Sequence, residues 1–331
     1  MENKLESILS ILPSIENIVV KGEADYYGIS YLVAKKLKLP YIPRSLSSWQ
    51  HGWIVPEIKY SEQLTGGQNN STKLVALMEH EVFLKKEGVK SKAVGMPFVY
   101  VEDVETQKIE RQKNTLLVMP PHSLPYTNHT WNEESYAKKI NELKNKFDLI
   151  VVCLHQTCID KGLWVSSFEK YDIPWIIGAN ALDKNGLIRM YRIFNAFEFM
   201  TTNAIGSHVA YAAYCGCKVS IYGEYAEFSK EDYADTPVYK EFPFLLEYNL
   251  RCYSYEQVHN NFPFLFSPPD KAKIRIEWAE RQLGKANKVC SHDLAKLLGW
   301  GSLYKQFFFS IKTIHHKIKN RIRNAIKCLN S

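Results

Sequence analysis

Between residues 115 and 223 the chain alternates short apolar runs with amphipathic or small-residue segments, and no other feature constrains its fold as much. The runs are TLLVMP from Thr115, DLIVVCL from Asp148, IPWIIGAN from Ile173, EFMTT from Glu198 and KVSIYG from Lys218. Helices are predicted between them over 132–147, 162–171 and 186–197, with a last one opening at Ile205-Gly206-Ser207-His208 and closing at Gly216. Apolar strands separated by helices predict a parallel sheet covered on both faces. Ligands of such sheets sit beyond the carboxyl ends of the strands, so the loops after each run are where chemistry is expected.

The first third of the chain is less regular. A strand is predicted over 17–22, a helix over 24–39 before Pro40, a helix over 73–87 carrying Leu74, Leu77, Met78, Val82 and Phe83, and a bent strand or strand pair over 92–101. The polar stretch 102–114 reads as a linker, and the aromatic, proline-rich stretch 224–270 as a segment wrapping back over the first domain. A length of 331 residues suits two domains. The expected division is 1–110, an N-terminal Rossmann-like domain; 111–285, a C-terminal Rossmann-like domain; and 286–331, a helical segment.

A composition of 46% hydrophobic and 23% charged residues belongs to a soluble globular protein. No apolar run reaches the roughly 18 residues of a membrane span, and the opening MENKLESILSILPS lacks the basic start and cleavage site of a signal peptide, so a cytosolic location is expected. The seven cysteines include no CxxC pair, which predicts reduced thiols and neither a disulfide framework nor a zinc site.

The net charge of +7 is concentrated at one end. Seven Lys or Arg and no acid lie in 305–331, so that stretch equals the whole excess. Apolar residues from Phe307 to Leu329 recur at steps of three and four, with Lys312, His316, Lys319, Arg323 and Lys327 opposite. This predicts a basic amphipathic helix lying on an anionic membrane surface; a helix docked on its own protein with a solvated basic face is the plainer alternative. No nucleic-acid-binding motif accompanies the charge, and no nucleic-acid partner is expected.

Three histidines stand in loops of interest: His51 in WQHGW, His122 in MPPHS and His208 in NAIGSH. Such a histidine acts as a general base or as a donor to a phosphate, although a lone one is more often structural. His122, Ser123, Thr202, Asn203, Gly206, Ser207 and His208 are candidates for a donor nucleotide and its phosphate, because a helix N-terminus with hydroxyls at its rim favours an anion. His51, with Trp49, Gln50 and Trp53 beside it, is the candidate for acceptor-side chemistry. Asp25 and Asp160 are candidates for a catalytic base or nucleophile, with surface or capping roles as the alternative. No GxxxxGK[ST] loop, GxGxxG fingerprint or DxD-like metal pair is present, and neither a metal nor another cofactor is expected.

At WQHGW, GMPFVYV, LLVMPPHS, VVCLHQTCID and TTNAIGSHVAYAAYCGCKVSIYG the chain resembles bacterial surface-polysaccharide glycosyltransferases of the GT-B type, over roughly residues 45–225. The resemblance implies two Rossmann-like domains facing a central cleft, with the nucleotide-sugar bound mainly by the C-terminal one. PPHS is similar to the His-Pro loop of sialyl- and Kdo-transferases, with Ser123 in place of the proline, and TTNAIGSH is similar in position to their phosphate-binding turn. QHG resembles a histidine-glycine element of polymer-forming transferases. The implied activity is metal-independent transfer from a CMP-, UDP- or GDP-linked sugar to a glycan or lipid-linked glycan in capsule, O-antigen or lipooligosaccharide synthesis. The basic tail would then hold the enzyme at the inner face of the cytoplasmic membrane. A nucleotide-sugar epimerase or hydrolase, and a non-catalytic glycan-binding assembly protein, are the competing expectations.

Overall fold

The computed structural model describes residues 2–123, 126, 127, 129 and 131–301. Its strands form two parallel sheets. β1 (Ser48–Trp49), β2 (Lys73–Val75) and β3 (Ser91–Ala93) pair in that order. β4 (Gln112–Val118), β5 (Leu149–Leu154), β6 (Trp175–Ile177), β7 (Phe197–Thr202) and β8 (Lys218–Ile221) form the larger sheet in the order β6-β5-β4-β7-β8. The chain winds outward from β4 to β6, then returns to lay β7 along the other edge of β4. That order is Rossmann-like, and it places a topological switch between β4 and β7.

Side-chain alternation along the larger sheet builds a separate core on each face. Leu116, Val118, Ile150, Val152 and Leu154 face the helices Glu133–Asn141 and Val165–Glu169. Leu117, Leu149, Val151 and Cys153 face the other way, toward Gly186–Ala196 and Ser207–Tyr214. This second core continues without a break into the first half of the chain, through Phe98, Trp49, Leu32 and Ile29, with the Phe98 and Tyr211 rings stacked at 4.2 Å.

Three expectations for the first third are corrected. Residues 17–22 join no sheet, making only an antiparallel bridge from Asn17 to Asp183. The expected helix over 73–87 is β2 followed by a helix, Met78–Lys86, because Lys73, Leu74 and Val75 are all buried between β1 and β3 and only the later residues have an open face. The bent strand over 92–101 is β3 followed by a 3-10 turn, Pro97–Asp103; the proline starts the turn and the buried Tyr100 closes it by donating to the Val94 carbonyl at 2.7 Å.

The segment after β8 lies back over the first half. Tyr248 donates to the Glu57 carbonyl at 2.9 Å, and Trp53 meets the edges of Phe262 and Trp278. Farther on, the Leu46 N–H donates to the Leu298 carbonyl (2.8 Å), Ser47 Oγ to the Leu297 carbonyl (2.6 Å) and Trp300 Nε1 to Ser45 Oγ (3.2 Å). Residues 302–331, with the expected basic amphipathic helix, lie outside the described residues. Among the described residues no helix is long and apolar enough to cross a membrane.

Candidate functional site

A cavity of about 450 Å³ opens at the switch between β4 and β7. From the end of β4 come Met119, Pro120, Pro121 and His122; from the loop after β7 come Ala204 to His208. The rest of the lining includes Tyr27, His51 and Gly52 from the first half, and an aromatic group, Phe228, Tyr233, Tyr239 and Tyr253, from the segment after β8. Thus the two regions in which the sequence placed candidate histidines meet in one space.

The turn after β7 is built by Thr202. Its hydroxyl donates to the Ala204 carbonyl (3.1 Å) and accepts from the Ala204 N–H (3.2 Å), folding the chain toward the helix start. His208 Nε2 lies 3.0 Å from the same oxygen. With the Thr202 proton already directed at Ala204, His208 Nε2–H is the donor, and Nδ1 is left as the ring's free acceptor. Gly206 is extended, and a Cβ there would press on the His208 ring at 3.0 Å, which explains a residue without a side chain. Ser207 Oγ accepts from the Trp53 N–H at 2.8 Å and keeps its own proton for donation.

His155, the first residue beyond β5, caps the helix Gln156–Asp160 by accepting from the Thr157 N–H through Nδ1 at 3.1 Å. Its neutral ring therefore carries its proton on Nε2, 3.4 Å from the Tyr27 hydroxyl. The His122 ring lies 4.9 Å from the His155 ring, and the Tyr27 ring is 5.9 Å from that of His51. Tyr27 holds this place with left-handed backbone (φ 58°), pinned by its N–H to the Ala181 carbonyl at 2.8 Å. Strained backbone of this kind persists where the surroundings over-determine it, and is concentrated at functional sites.

Burial sets the charge state of the imidazoles. Desolvation brings His155 and His208 down to about 3, helped in both by the neighbouring His122, and pulls His122 itself down although its ring is wetted by the cavity. The unliganded histidines are therefore neutral near pH 7. His51 is lowered by desolvation and raised by Glu23, whose Oε1 stands 3.9 Å from Nδ1. That Nδ1 is shut away from solvent without a hydrogen-bond partner, while the side chain as a whole is 38% exposed; Nε2 is the ring nitrogen open to a ligand. Tyr27, buried beside Tyr26, is pushed up to about 12 and stays a phenol.

Of the residues selected from sequence, His51, His122, Gly206, Ser207 and His208 line the cavity. Thr202 stands behind His208. Asn203 is buried, its amide donating to the Glu224 carbonyl at 3.1 Å. Ser123 is buried too, donating to the Thr127 carbonyl (3.1 Å) and accepting from Lys161 (2.9 Å), so it shapes the loop that carries His122. Trp49 lies in the core with Nε1 on the Gly95 carbonyl, Gln50 clips the Ala76 N–H to the Gly52 carbonyl, and Trp53 packs on Trp278. Asp25 is buried against Ser30 Oγ (2.5 Å) and the Lys21 N–H (2.8 Å). Asp160 is exposed and bonded to Gln156 within its own helix. The cavity reaches neither aspartate.

Sequence reasoning passed over Tyr27, His155 and the aromatic group. His155 satisfies the criterion that selected His122, since it directly follows an apolar strand. Tyr27 carries no such signal, because its position depends on a backbone turn in the unremarkable run Asp25-Tyr26-Tyr27-Gly28. Among the described residues no group of three or more His, Cys, Asp or Glu is disposed to hold a metal ion. No protein-family model matches the chain, and no curated protein is significantly similar to it.

Proposed function

We propose that the protein is a glycosyltransferase of GT-B-like organisation, moving a sugar from a nucleotide-sugar to a glycan or lipid-linked glycan in bacterial surface-polysaccharide synthesis. One observation carries this reading: the cavity at the β4/β7 switch brings a helix N-terminus, a serine hydroxyl and three imidazoles together with His51 from the first half of the chain. The helix start suits a phosphate, since the Ser207 and His208 N–H groups open the helix and its dipole favours an anion. His51 suits a hydroxyl nucleophile.

In this reading His51 Nε2 takes the proton of the acceptor hydroxyl, while Glu23 opposite Nδ1 stabilises the imidazolium that forms. The acceptor oxygen bonds to the anomeric carbon as the bond from that carbon to the phosphate oxygen breaks. The electron pair leaves with the nucleotide, whose phosphate is stabilised by the helix N-terminus with its Ser207 and His208 backbone N–H groups, the Ser207 hydroxyl and His122. The acid-free basic stretch 305–331 supports a place at the inner face of the cytoplasmic membrane, where lipid-linked acceptors are presented.

Thermal-shift titration of the purified protein with CMP-, UDP- and GDP-sugars tests the reading. Stabilisation by at least one is expected, with sugar transfer once an acceptor is supplied. A flat response to all three would remove it.

A further inference from the structure

Every residue lining the cavity among those described is uncharged at neutral pH except Glu227, and none of these described residues is a lysine or arginine. That composition is unusual for a space holding a sugar diphosphate, whose two adjacent anions are ordinarily met by Arg or Lys. Lys161 stands behind the loop, its ammonium on Ser123 Oγ at 2.9 Å and the Thr127 carbonyl at 2.7 Å. The resource for an anion is thus one helix start with its neighbouring neutral donors. Elsewhere the lining is mostly apolar, with Met119, Leu187, Met190, Phe194 and Ile205, or aromatic, and its remaining polar side chains, Thr127, Asn249 and Ser254, are neutral. A second phosphate would lose its hydration there without a cation in return.

The aromatic group supplies the complementary half. Phe228 and Tyr233 have ring centroids 4.9 Å apart, tilted by 38°, and Tyr239 meets Tyr233 edge to face at 5.2 Å, an aromatic corner in which a flat heterocycle stacks on one ring and meets the edge of another.

We propose that the sugar donor is linked through one phosphate, as a nucleoside monophosphate sugar, with its base in the Phe228–Tyr233–Tyr239 corner. The proposal rests on the cavity being the donor site of the function proposed above. It names the class of molecule that fits: a single phosphodiester at the helix start, flanked by a ring on one side and the sugar toward Tyr27 and His51 on the other.

Calorimetric titration of the full chain with CMP-N-acetylneuraminate, UDP-N-acetylglucosamine and GDP-mannose separates the two levels, with and without Mg²⁺ and at low and high salt. All three probes carry two formal negative charges, so the comparison isolates how the charge is placed. The monophosphate-linked probe is expected to bind at least tenfold tighter than either diphosphate, with less than a threefold change in affinity between low and high salt. Phe228→Ala should weaken it about tenfold, and Phe228→Tyr should restore it. Equal or tighter binding of a diphosphate sugar, with or without Mg²⁺, or a tenfold loss with salt, overturns the single-phosphate assignment and leaves the transferase reading standing. If none of the three binds, both fail.

Discussion

The Trp53 backbone N–H donates to Ser207 Oγ across 2.8 Å, so a loop of the small sheet is fastened to the helix start of the large one at the edge of the cavity. Ser207→Ala strands that amide in a half-buried place, at a cost of about 1–3 kcal/mol. We expect a melting temperature lower by a few degrees and, because the hydroxyl donor is also lost, weaker stabilisation by nucleotide in the same thermal-shift experiment. An unchanged melting temperature would show that water replaces the hydroxyl at no cost.

His51→Gln keeps the size of the side chain and removes its basicity. Turnover should fall by about 10²–10⁴, while nucleotide affinity stays within twofold, since His51 is assigned to the acceptor. Parallel losses in both would move His51 to the donor side.

Gly28 follows the left-handed Tyr27 and is itself left-handed (φ 78°); an added Cβ would lie 1.8 Å from the Lys184 carbonyl oxygen. No rotamer change relieves a clash with backbone. Gly28→Ala should therefore destabilise by on the order of 4 kcal/mol or more, read as a shift of the denaturant midpoint. A variant within 1 kcal/mol of wild type (roughly the scatter of ordinary surface changes) would mean that this turn is looser than its geometry.

Stability should decline as pH falls from neutrality, and the sign follows from the histidines. Burial holds His155 and His208 near 3 and His80 near 4, below the ordinary 6.5. Below about pH 6.5 the unfolded chain takes up protons that the folded chain refuses, so stability is full above that value and erodes toward pH 3–4. Below about pH 4.5 the lowered carboxylates add to the loss in the same direction: Glu105 beside Arg192, and Glu81 on the Ala93 N–H and Lys85. Melting temperature against pH from 7 to 5 isolates the histidine part, and His80→Gln should flatten it without touching the cavity.

Glu105 and Arg192 form a bidentate pair, Oε2 to Nε at 2.7 Å, with the Glu105 side chain only 4% exposed. Glu105→Gln leaves Arg192 partly buried without its counter-charge, and a loss of about 3 kcal/mol is expected. Nucleotide affinity should not change, because the pair holds the outer face of the Gly186–Ala196 helix; a matching loss of affinity would place that helix under tension from the cavity side.

How much of this was legible before any coordinates depended on the length of the signal. The larger sheet was readable because its central strands, β5 throughout and β4 over its second half, are buried on both faces, so an unbroken apolar run marks them, and the histidines at the strand ends followed. The small sheet was not: β2 is three residues long, and Leu74, Leu77 and Met78 satisfy helical spacing as well as they satisfy a strand followed by a helix. Residues such as Trp49, Asp25 and Ser123 look functional in a one-dimensional reading, since polar and aromatic side chains in loops are conspicuous. Their hydrogen bonds to Gly95, Ser30 and Thr127 show that they hold loops in shape. Tyr27 illustrates the opposite failure, because nothing in composition or periodicity marks a left-handed residue that is not glycine.

The fastening of Ser45, Leu46 and Ser47 to Leu297, Leu298 and Trp300 has a consequence for how the molecule is made. Partners some 250 positions apart must meet before the small sheet is closed, so the amino-terminal half has no finished form while the chain is still growing. Synthesis would leave β1 to β3 waiting, with Trp49 and Leu74 not yet enclosed, until nearly the last described residue has been added. A truncation that stops short of Trp300 should therefore accumulate as a chaperone client, even though it carries every described residue that lines the cavity.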